Sequence, residues 1–403
     1  MEYVNTPINK IGRVVTGKTP STAKPEYYDG EIMFITPTEL HTEFIVESSE
    51  KTITQSGFKS IKNNTISGTS VMVGCIGWDM GNVALCTETC ATNQQINSVT
   101  SIKDAYNPLY LYYWLKTKKD YLFSIASVTR TPILSKGVFE EVLVPMPGKD
   151  IQDAVVGVLS SVDRKIALNN RINDNLQQQL KLMYDYWFTQ FDFPDERGKP
   201  YRSSGGQMIW NDRLKRNIPA GWQVLPLSQI MKKNVLPFDY SSKQPAIDLS
   251  VMPSDTIALS EINTSDNFTT NLFEMKKGDI LFGSIRPYLH KAGFAPCDGV
   301  VTGTVHSYRA IDKQDSNFAL LTIACDTFFD YAVNVSSGTK MPVVSSDSIL
   351  AYNVPYNSEV VKRFGEISIV ETIANNIQEN QRLIALRDWL LPMLMNGQAT
   401  IIG

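Results

Sequence analysis

The sequence is short of the residues that most active sites need. Its three histidines, His41, His290 and His306, lie far apart, and its five cysteines are Cys75, Cys86, Cys90, Cys297 and Cys325. An odd count in a chain of 403 residues argues against a disulfide framework. Free thiols in a reducing cytoplasm are the simpler expectation. Cys86-x3-Cys90 has no matching second pair, so no metal site is expected. No Gly-x4-Gly-Lys-Ser/Thr loop is present, which excludes a P-loop nucleotidase. Asn107-Pro108-Leu109-Tyr110 is one proline short of the Asn-Pro-Pro-Tyr signature of amino-methyltransferases, and no glycine-rich cofactor loop follows a strand upstream. Pro108 reads instead as the first residue of the helix Leu109-Tyr-Leu-Tyr-Tyr-Trp-Leu115. The carboxylate pair Glu140-Glu141 reads as a solvated turn. No segment approaches the roughly 20 apolar residues of a membrane span. Met1 to Lys10 is polar, which does not suit a signal peptide. Excess positive charge is lacking too: 38 Lys and Arg against 41 Asp and Glu give a net charge of −3. Non-specific DNA binding rests on phosphate neutralisation by Lys and Arg. A nucleic-acid role would therefore need local basic surfaces or partners that supply charge.

Apolar residues make up 43% of the chain and aromatics 10%, enough for packed cores in two or three domains. Two β-rich blocks, about Asn5 to Pro147 and Pro219 to Pro355, alternate with two helical blocks, about Ile151 to Phe191 and Ser358 to Asn396. The β-rich blocks carry Thr, Val, Ile and Gly, with turn signals such as Asp29-Gly30 and Gly81-Asn82. They also match each other in register. Gly68-Thr-Ser-Val-Met-Val-Gly-Cys-Ile pairs with Gly278-Asp-Ile-Leu-Phe-Gly-Ser-Ile, and Gly74 lies 209 residues before Gly283. That offset carries Asn82 to Leu85 onto Lys291 to Phe294. Thr129, Pro132 and Pro145 fall on Thr339, Pro342 and Pro355 at an offset of 210. An ordered series of matches at a nearly constant offset indicates an internal duplication. Two copies with divergent interiors suit two related surfaces that bind different things.

In the first helical block one series recurs in alternating steps of four and three, apolar except at Asn169 and Asn173: Val155, Leu159, Val162, Ile166, Asn169, Asn173, Leu176, Leu180, Met183 and Trp187. This is a coiled-coil seam, and its two asparagines suit a device that fixes register. A single amphipathic helix packed on its own domain is the plainer alternative, but about 35 residues exceeds the usual helix of 8–20. Such a helix spans roughly 50 Å. The second block carries Ile367, Val370, Ile373, Ile377, Ile384, Leu391 and Leu394, with Asn380 among them. Two such helices pack most simply antiparallel on each other.

Several segments then resemble one family, the specificity (S) subunits of type I restriction-modification enzymes. Tyr184-Asp-Tyr-Trp-Phe-Thr-Gln-Phe-Asp-Phe-Pro194 with Gly198-Lys-Pro-Tyr-Arg-Ser-Ser-Gly-Gly206 is similar to the end of that family's first spacer. Ile218-Pro-Ala-Gly-Trp222 is similar to the opening of a recognition domain, and Leu386-Arg-Asp-Trp-Leu-Leu-Pro-Met-Leu-Met-Asn-Gly-Gln398 to the C-terminal tail. Ala91-Thr-Asn-Gln-Gln-Ile-Asn97 and Gly278 to Pro287 are similar to recurrent strands. The first block departs from the pattern, because it lacks the Pro-x-Gly-Trp opening and starts near Ile11-Gly-Arg-Val-Val-Thr-Gly-Lys-Thr19.

The resemblance implies an α+β chain with two tandem α/β target-recognition domains and two long antiparallel coiled-coil spacer helices, pseudo-twofold by duplication. The expected limits are 1–149 for the first recognition domain, 150–191 for the first spacer helix, 192–357 for the second domain (192–217 as linker) and 358–403 for the second spacer. It further implies a non-catalytic subunit. Each domain would read one half of a bipartite double-stranded DNA target, and the helices would set the gap. Two methylase (M) subunits would carry S-adenosylmethionine, none being held by this chain, and restriction (R) subunits would be further partners. A structural or protein-binding scaffold with two repeated modules, and a stand-alone methyltransferase, are the competing functions.

Candidate DNA contacts follow from side-chain chemistry. The polar, basic loop Ser127 to Lys136 pairs with Ser336 to Pro342, which nominates Thr129, Arg130, Ser337, Thr339 and Lys340, since Arg and Lys donate to guanine edges and hydroxyls suit phosphates or bases. The turn Arg286-Pro-Tyr-Leu-His-Lys291 adds Arg286, Tyr288 and Lys291. Its counterpart, Trp78 to Asn82, offers Asp79 and Asn82 instead, so the two domains are expected to read different sequences. Asn93, Gln94 and Gln95 suit adenine, although alternation along a strand makes at least one of them structural. Lys18 and Lys136 are phosphate candidates. For all of these, an ordinary solvated loop is the plain alternative. The seam is expected from Leu159, Val162, Ile166, Asn169, Asn173, Leu176, Leu180, Ile377 and Ile384.

Overall fold

The computed structural model describes residues 3–41, 44–128, 130–239 and 242–399. It comprises two compact units, one of residues 1–165 with 383–403 and the other of residues 166–382.

The first unit is built on a four-stranded antiparallel sheet in the order Arg13–Thr16, Ile96–Thr100, Ser70–Gly74, Val83–Cys86. Every residue of Ser70–Gly74 is buried, because both faces of the sheet are covered. Side chains alternate along a strand. Val71 and Val73 accordingly face a core shared with the helix Pro108–Lys116, and Met72 faces a smaller core on the other side. A second sheet runs Lys51–Ile53, Tyr28–Ile35, Cys90–Thr92, Thr65–Ile66, with one parallel pair, Phe34 opposite Ala91. Val4–Pro7 and Leu143–Met146 pair antiparallel. Asn107 caps the helix, its Oδ1 accepting from the Leu109 N–H at 2.9 Å, and Pro108 takes the first position. The near-signature of a methyltransferase is thus a helix start.

The second unit repeats this plan. Its main sheet is ordered Met231–Asn234, Val305–Ala310, Ile280–Gly283, Ala292–Phe294. Ile280 and Phe282 point into its main core and Leu281 into a smaller one. A second sheet runs Asn263–Thr264, Pro245–Ile247, Gly299–Thr302, Leu272–Met275, again with one parallel pair. Gln223–Pro226 pairs with Asn353–Tyr356. Ser70–Gly74 and Ile280–Gly283 thus hold the same place in their sheets, as the duplication requires. Among the described residues no single helix is long and apolar enough to cross a membrane. One pair bent by 71°, Lys313–Ile323 with Asp326–Val335, passes on length and composition, and Phe318, Leu320 and Leu321 of one and Phe328, Phe329 and Ala332 of the other lie in the second unit's core.

Two long helices, α1 (Lys149–Tyr184) and α2 (Ile369–Met395), contribute to both units. In the first unit Val155, Val156 and Leu159 of α1 join the core with Leu391, Leu394 and Met395 of α2. There Arg387 pairs with buried Asp163 at 2.8 Å, and Tyr113 donates to the same carboxylate at 2.7 Å. In the second unit Leu180 and Ile377 are buried and a row of amides links the helices antiparallel. Asn169 Nδ2 donates to Asn380 Oδ1 at 2.9 Å, Asn380 Nδ2 to Asn170 Oδ1 at 2.8 Å, and Asn376 Nδ2 to Asn173 Oδ1 at 2.8 Å. Val162, Ile166, Leu176 and Ile384 are half-buried along the same helices. The spacer expected over 150–191 ends its α-helical run at Tyr184 and continues as a π-turn, Asp185–Thr189. The spacer expected over 358–403 is two helices, Ser358–Gly365 and Ile369–Met395. The backbone of Gly365 lies so close to Gln314 that a Cβ there would fall 2.0 Å from its carbonyl oxygen, so the chain departs from the helix to pack on that turn.

Candidate nucleic-acid interface

Each unit has a hairpin loop after the central strand of its main sheet, and the structure seats it against the polar loop that precedes the long helix. In the first unit Ile76 bridges to Ile133, the Gly77 N–H donates to the Pro132 carbonyl at 3.0 Å, and the Leu134 N–H to Cys75 at 2.9 Å. In the second, Ile285 bridges to Val343, the Arg286 N–H donates to the Pro342 carbonyl at 2.7 Å, and the Val344 N–H to Ser284 at 2.9 Å. The segments nominated from sequence as separate candidates are therefore one surface in each unit. A side chain from the middle of the sheet ties it from below. Asn97 donates to the Leu134 carbonyl at 3.0 Å, and His306 Nε2 lies 3.3 Å from the Val344 carbonyl. Burial drives the His306 imidazole down to about 4, so at neutral pH it is uncharged and its N–H is the donor.

In the first unit Arg130 is exposed, Lys136 is exposed and paired with Glu140 at 3.4 Å, and Thr129 lies outside the described residues. Trp78 stands 70% exposed at the hairpin tip, with Phe123 beside it at 6.1 Å between ring centroids. Asn82 is committed within the unit. Its Oδ1 accepts from Lys119 at 2.9 Å, and its Nδ2 lies 3.0 Å from His41 Nδ1 and 3.2 Å from Asp79 Oδ2. Lys119 also binds Asp79 at 2.5 Å and is the main reason that carboxyl is held below its usual range. Of the Asn93-Gln94-Gln95 turn, Asn93 is buried and its Nδ2 donates to Gln95 Oε1 at 2.9 Å, while Gln94 is exposed and accepts from Thr19 at 2.8 Å. Lys18 is exposed beside that turn, its N–H donating to Thr92. The Cys75 N–H donates to the Gln95 carbonyl, which seats the turn next to the hairpin.

In the second unit Arg286, Tyr288, Ser337, Thr339 and Lys340 are all exposed, and Met341 is exposed among them. Lys291 is turned inward, its ammonium group donating to the Leu249 carbonyl at 2.6 Å. Arg286 and His290 both have left-handed backbone, φ 53° and 51°. L-residues carry a steric penalty there. The positions 209 residues earlier are Gly77 and Gly81, with φ 107° and 92°. His290 is held by stacking on Phe329 at 4.3 Å and by Asp255 at 3.0 Å. Sequence reasoning missed Lys119, His41, Phe329 and the Asn97/His306 pair. The glycine-to-Arg286 and glycine-to-His290 exchange at a fixed offset was a further readable sign of the difference, beside Asp79 and Asn82.

Cys86 and Cys90 lie with sulfurs 3.4 Å apart in the first unit's core. Among the described residues no three His, Cys, Asp or Glu side chains gather as a metal site.

Comparison with known proteins supports the resemblance carried by the motifs. The type I restriction modification DNA specificity domain matches residues 2–178. The type I restriction enzyme MjaIX specificity subunit of Methanocaldococcus jannaschii is 27% identical over 98% of this chain and 93% of its own length. The EcoDI specificity subunit of Escherichia coli is 24% identical over 76% of each chain. In fold, the crystal structure of the type I system S subunit from M. genitalium superposes with a TM-score of 0.58, covering 98% of this chain and 96% of that one at 15% identity. Each of these relatives is a specificity subunit. The chain resembles the recognition component of such systems rather than a catalytic one.

Proposed function

We propose that this chain, similar along its length to type I specificity subunits, reads DNA sequence for a type I restriction-modification complex, each unit reading one half of a bipartite duplex target. One observation carries the reading. The same pairing of a hairpin loop with a polar loop occurs twice, on equivalent strands, with different exposed side chains at equivalent places. Arg286 and Lys340 suit guanine edges or phosphates in one half, and Arg130, Gln94 and Lys18 serve the other. Lys136 suits a phosphate, and Ser337, Thr339 and Tyr288 border the second surface. Asn82, Asn93 and Lys291 shape their loops from within.

The long helices set the distance between half-sites. α1 has 36 residues, about 54 Å at 1.5 Å per residue, which exceeds the ~34–36 Å turn of B-DNA. The amide row fixes their register. Two methylase subunits dock on the helical spacer and bring S-adenosylmethionine, restriction subunits join that assembly, and the complex works in the cytoplasm. A net charge of −3 makes the isolated chain a weak DNA binder, and the partner subunits supply most of the phosphate grip. The test is genome-wide mapping of methylated adenines with and without the gene. Loss of one bipartite motif is the expected result. An unchanged methylome refutes the reading and returns the chain to the class of protein-binding scaffolds.

A further inference from the structure

The first unit's hairpin loop, residues 77–82, bends at two glycines. Glycine accepts positive φ without cost but stiffens nothing. Its backbone is tied at the base, through Gly77 to Pro132, and between Gly81 and Gly74. At the tip the bonds are internal to the loop, the Met80 N–H donating to the Gly77 carbonyl at 3.3 Å and Asn82 Nδ2 to the Asp79 carbonyl at 3.2 Å. What meets the tip is Lys119, at the start of the helix Lys119–Ser124, with His41 Nδ1 also 3.3 Å from Asp79 Oδ2. Its ammonium group reaches Asp79 Oδ1 at 2.5 Å and Asn82 Oδ1 at 2.9 Å. Its own backbone closes on Gly81, where a Cβ would stand 2.9 Å from Lys119 Cγ and 3.2 Å from its Cα. Asn82 Nδ2 completes the ring by donating to Asp79. The second unit holds the same loop differently, through His290 stacked on Phe329.

Lys119 is 44% exposed and Asp79 60%. An ion pair that open adds little to global stability. Its two bonds to one loop, either side of the bend at Gly81, are what distinguish it from an ordinary surface pair.

We propose that Lys119 is a positioning residue for sequence reading by the first unit: it clamps loop 77–82 so that Trp78 and the neighbouring Arg130 loop meet the DNA in one arrangement. The inference rests on the DNA-reading function above. It assigns Lys119 no contact with DNA.

The test uses the full chain assembled with its methylase subunits, duplexes carrying the methylated motif, and the same duplexes with single base-pair changes. Lys119→Met is expected to reduce base discrimination by roughly twofold to sixfold at the half-site that Arg286→Ala leaves intact. Lys119→Arg is expected to restore it, with affinity for non-target duplex and the salt slope unchanged. Equal weakening on target and non-target DNA, with the salt slope reduced by about one, would show a phosphate contact and overturn the proposal, as would unaltered discrimination. Hydrogen exchange on the full chain without DNA tests the clamp separately from the function. The Met80 and Gly81 amides should exchange faster in Lys119→Met than in the wild type or Lys119→Arg, and equal exchange refutes the clamp even if no DNA motif is found.

Discussion

The two units have the same strand order in both of their main sheets and almost no chemistry in common at the surface those sheets support. Ser70–Gly74 and Ile280–Gly283 occupy equivalent central places. Beyond them, one loop bends at Gly77 and Gly81 and is held by an exposed ammonium–carboxylate network, while the other bends at Arg286 and His290 and is held by an imidazole stacked on a phenyl ring. Asn97 and His306 do the same tethering with different side chains. After duplication the sheet pairing and the points of attachment persist, because buried backbone groups must remain paired. Exposed loop side chains carry no such requirement and are free to diverge.

The comparison breaks most visibly in the cores. Phe282 and Val73 are equivalent and fully buried. Phe282→Ala should cost the second unit about 4 kcal/mol and Val73→Ala the first about 2, read as separate denaturant transitions. Equal losses would contradict the different packing of the two cores. Arg387→Met leaves buried Asp163 with Tyr113 as its partner among the described residues, at a cost of about 3 kcal/mol to the first unit. A matching shift in the second unit's transition would sink that assignment.

Acid should also separate the units. His306 binds a proton below about 6.5 when unfolded but, folded, not until about 4. The unfolded state therefore holds more protons between those values, and the second unit is at full stability above pH 6.5 and loses it as pH falls towards 4. A loss of about 2 kcal/mol is expected, after discounting for partial exposure. His306→Asn, which copies the first unit's Asn97, should abolish that component of the pH dependence, and its persistence would place the titration elsewhere. The smallest effect concerns backbone. Gly77→Ala should destabilise by about 1–2 kcal/mol, whereas Arg286→Gly should be neutral or stabilising by up to about 1 kcal/mol while recognition of one half-site falls. Clear destabilisation by Arg286→Gly would show that the left-handed turn at Arg286 is not strained.

Much of the architecture was legible because it is periodic. The near-constant offset exposed the duplication, and the 4-3 recurrence from Val155 to Trp187 exposed α1. The break after Gly365 was not legible, since it depends on contact with Gln314, some fifty positions earlier in the chain. The candidate surface was legible as segments but not as an assembly. Lys291 reads as an exposed hairpin cation and is spent on the Leu249 carbonyl, and Asn93 reads as an adenine partner and is bonded to Gln95. Lys119 carries no local signal at all, because its partners Asp79 and Asn82 lie some forty residues away.

The division of the chain also sets an order of events during its synthesis. The second unit draws only on residues 166–382, whereas the first needs Arg387, Leu391, Leu394 and Met395 to neutralise Asp163 and close its core. Domains ordinarily mature from the N-terminus as the ribosome proceeds. Here the sheets of the first unit wait for residues 387–395, so a ribosome that stalls in α2 after Arg382 leaves the second unit complete and the first without part of its core.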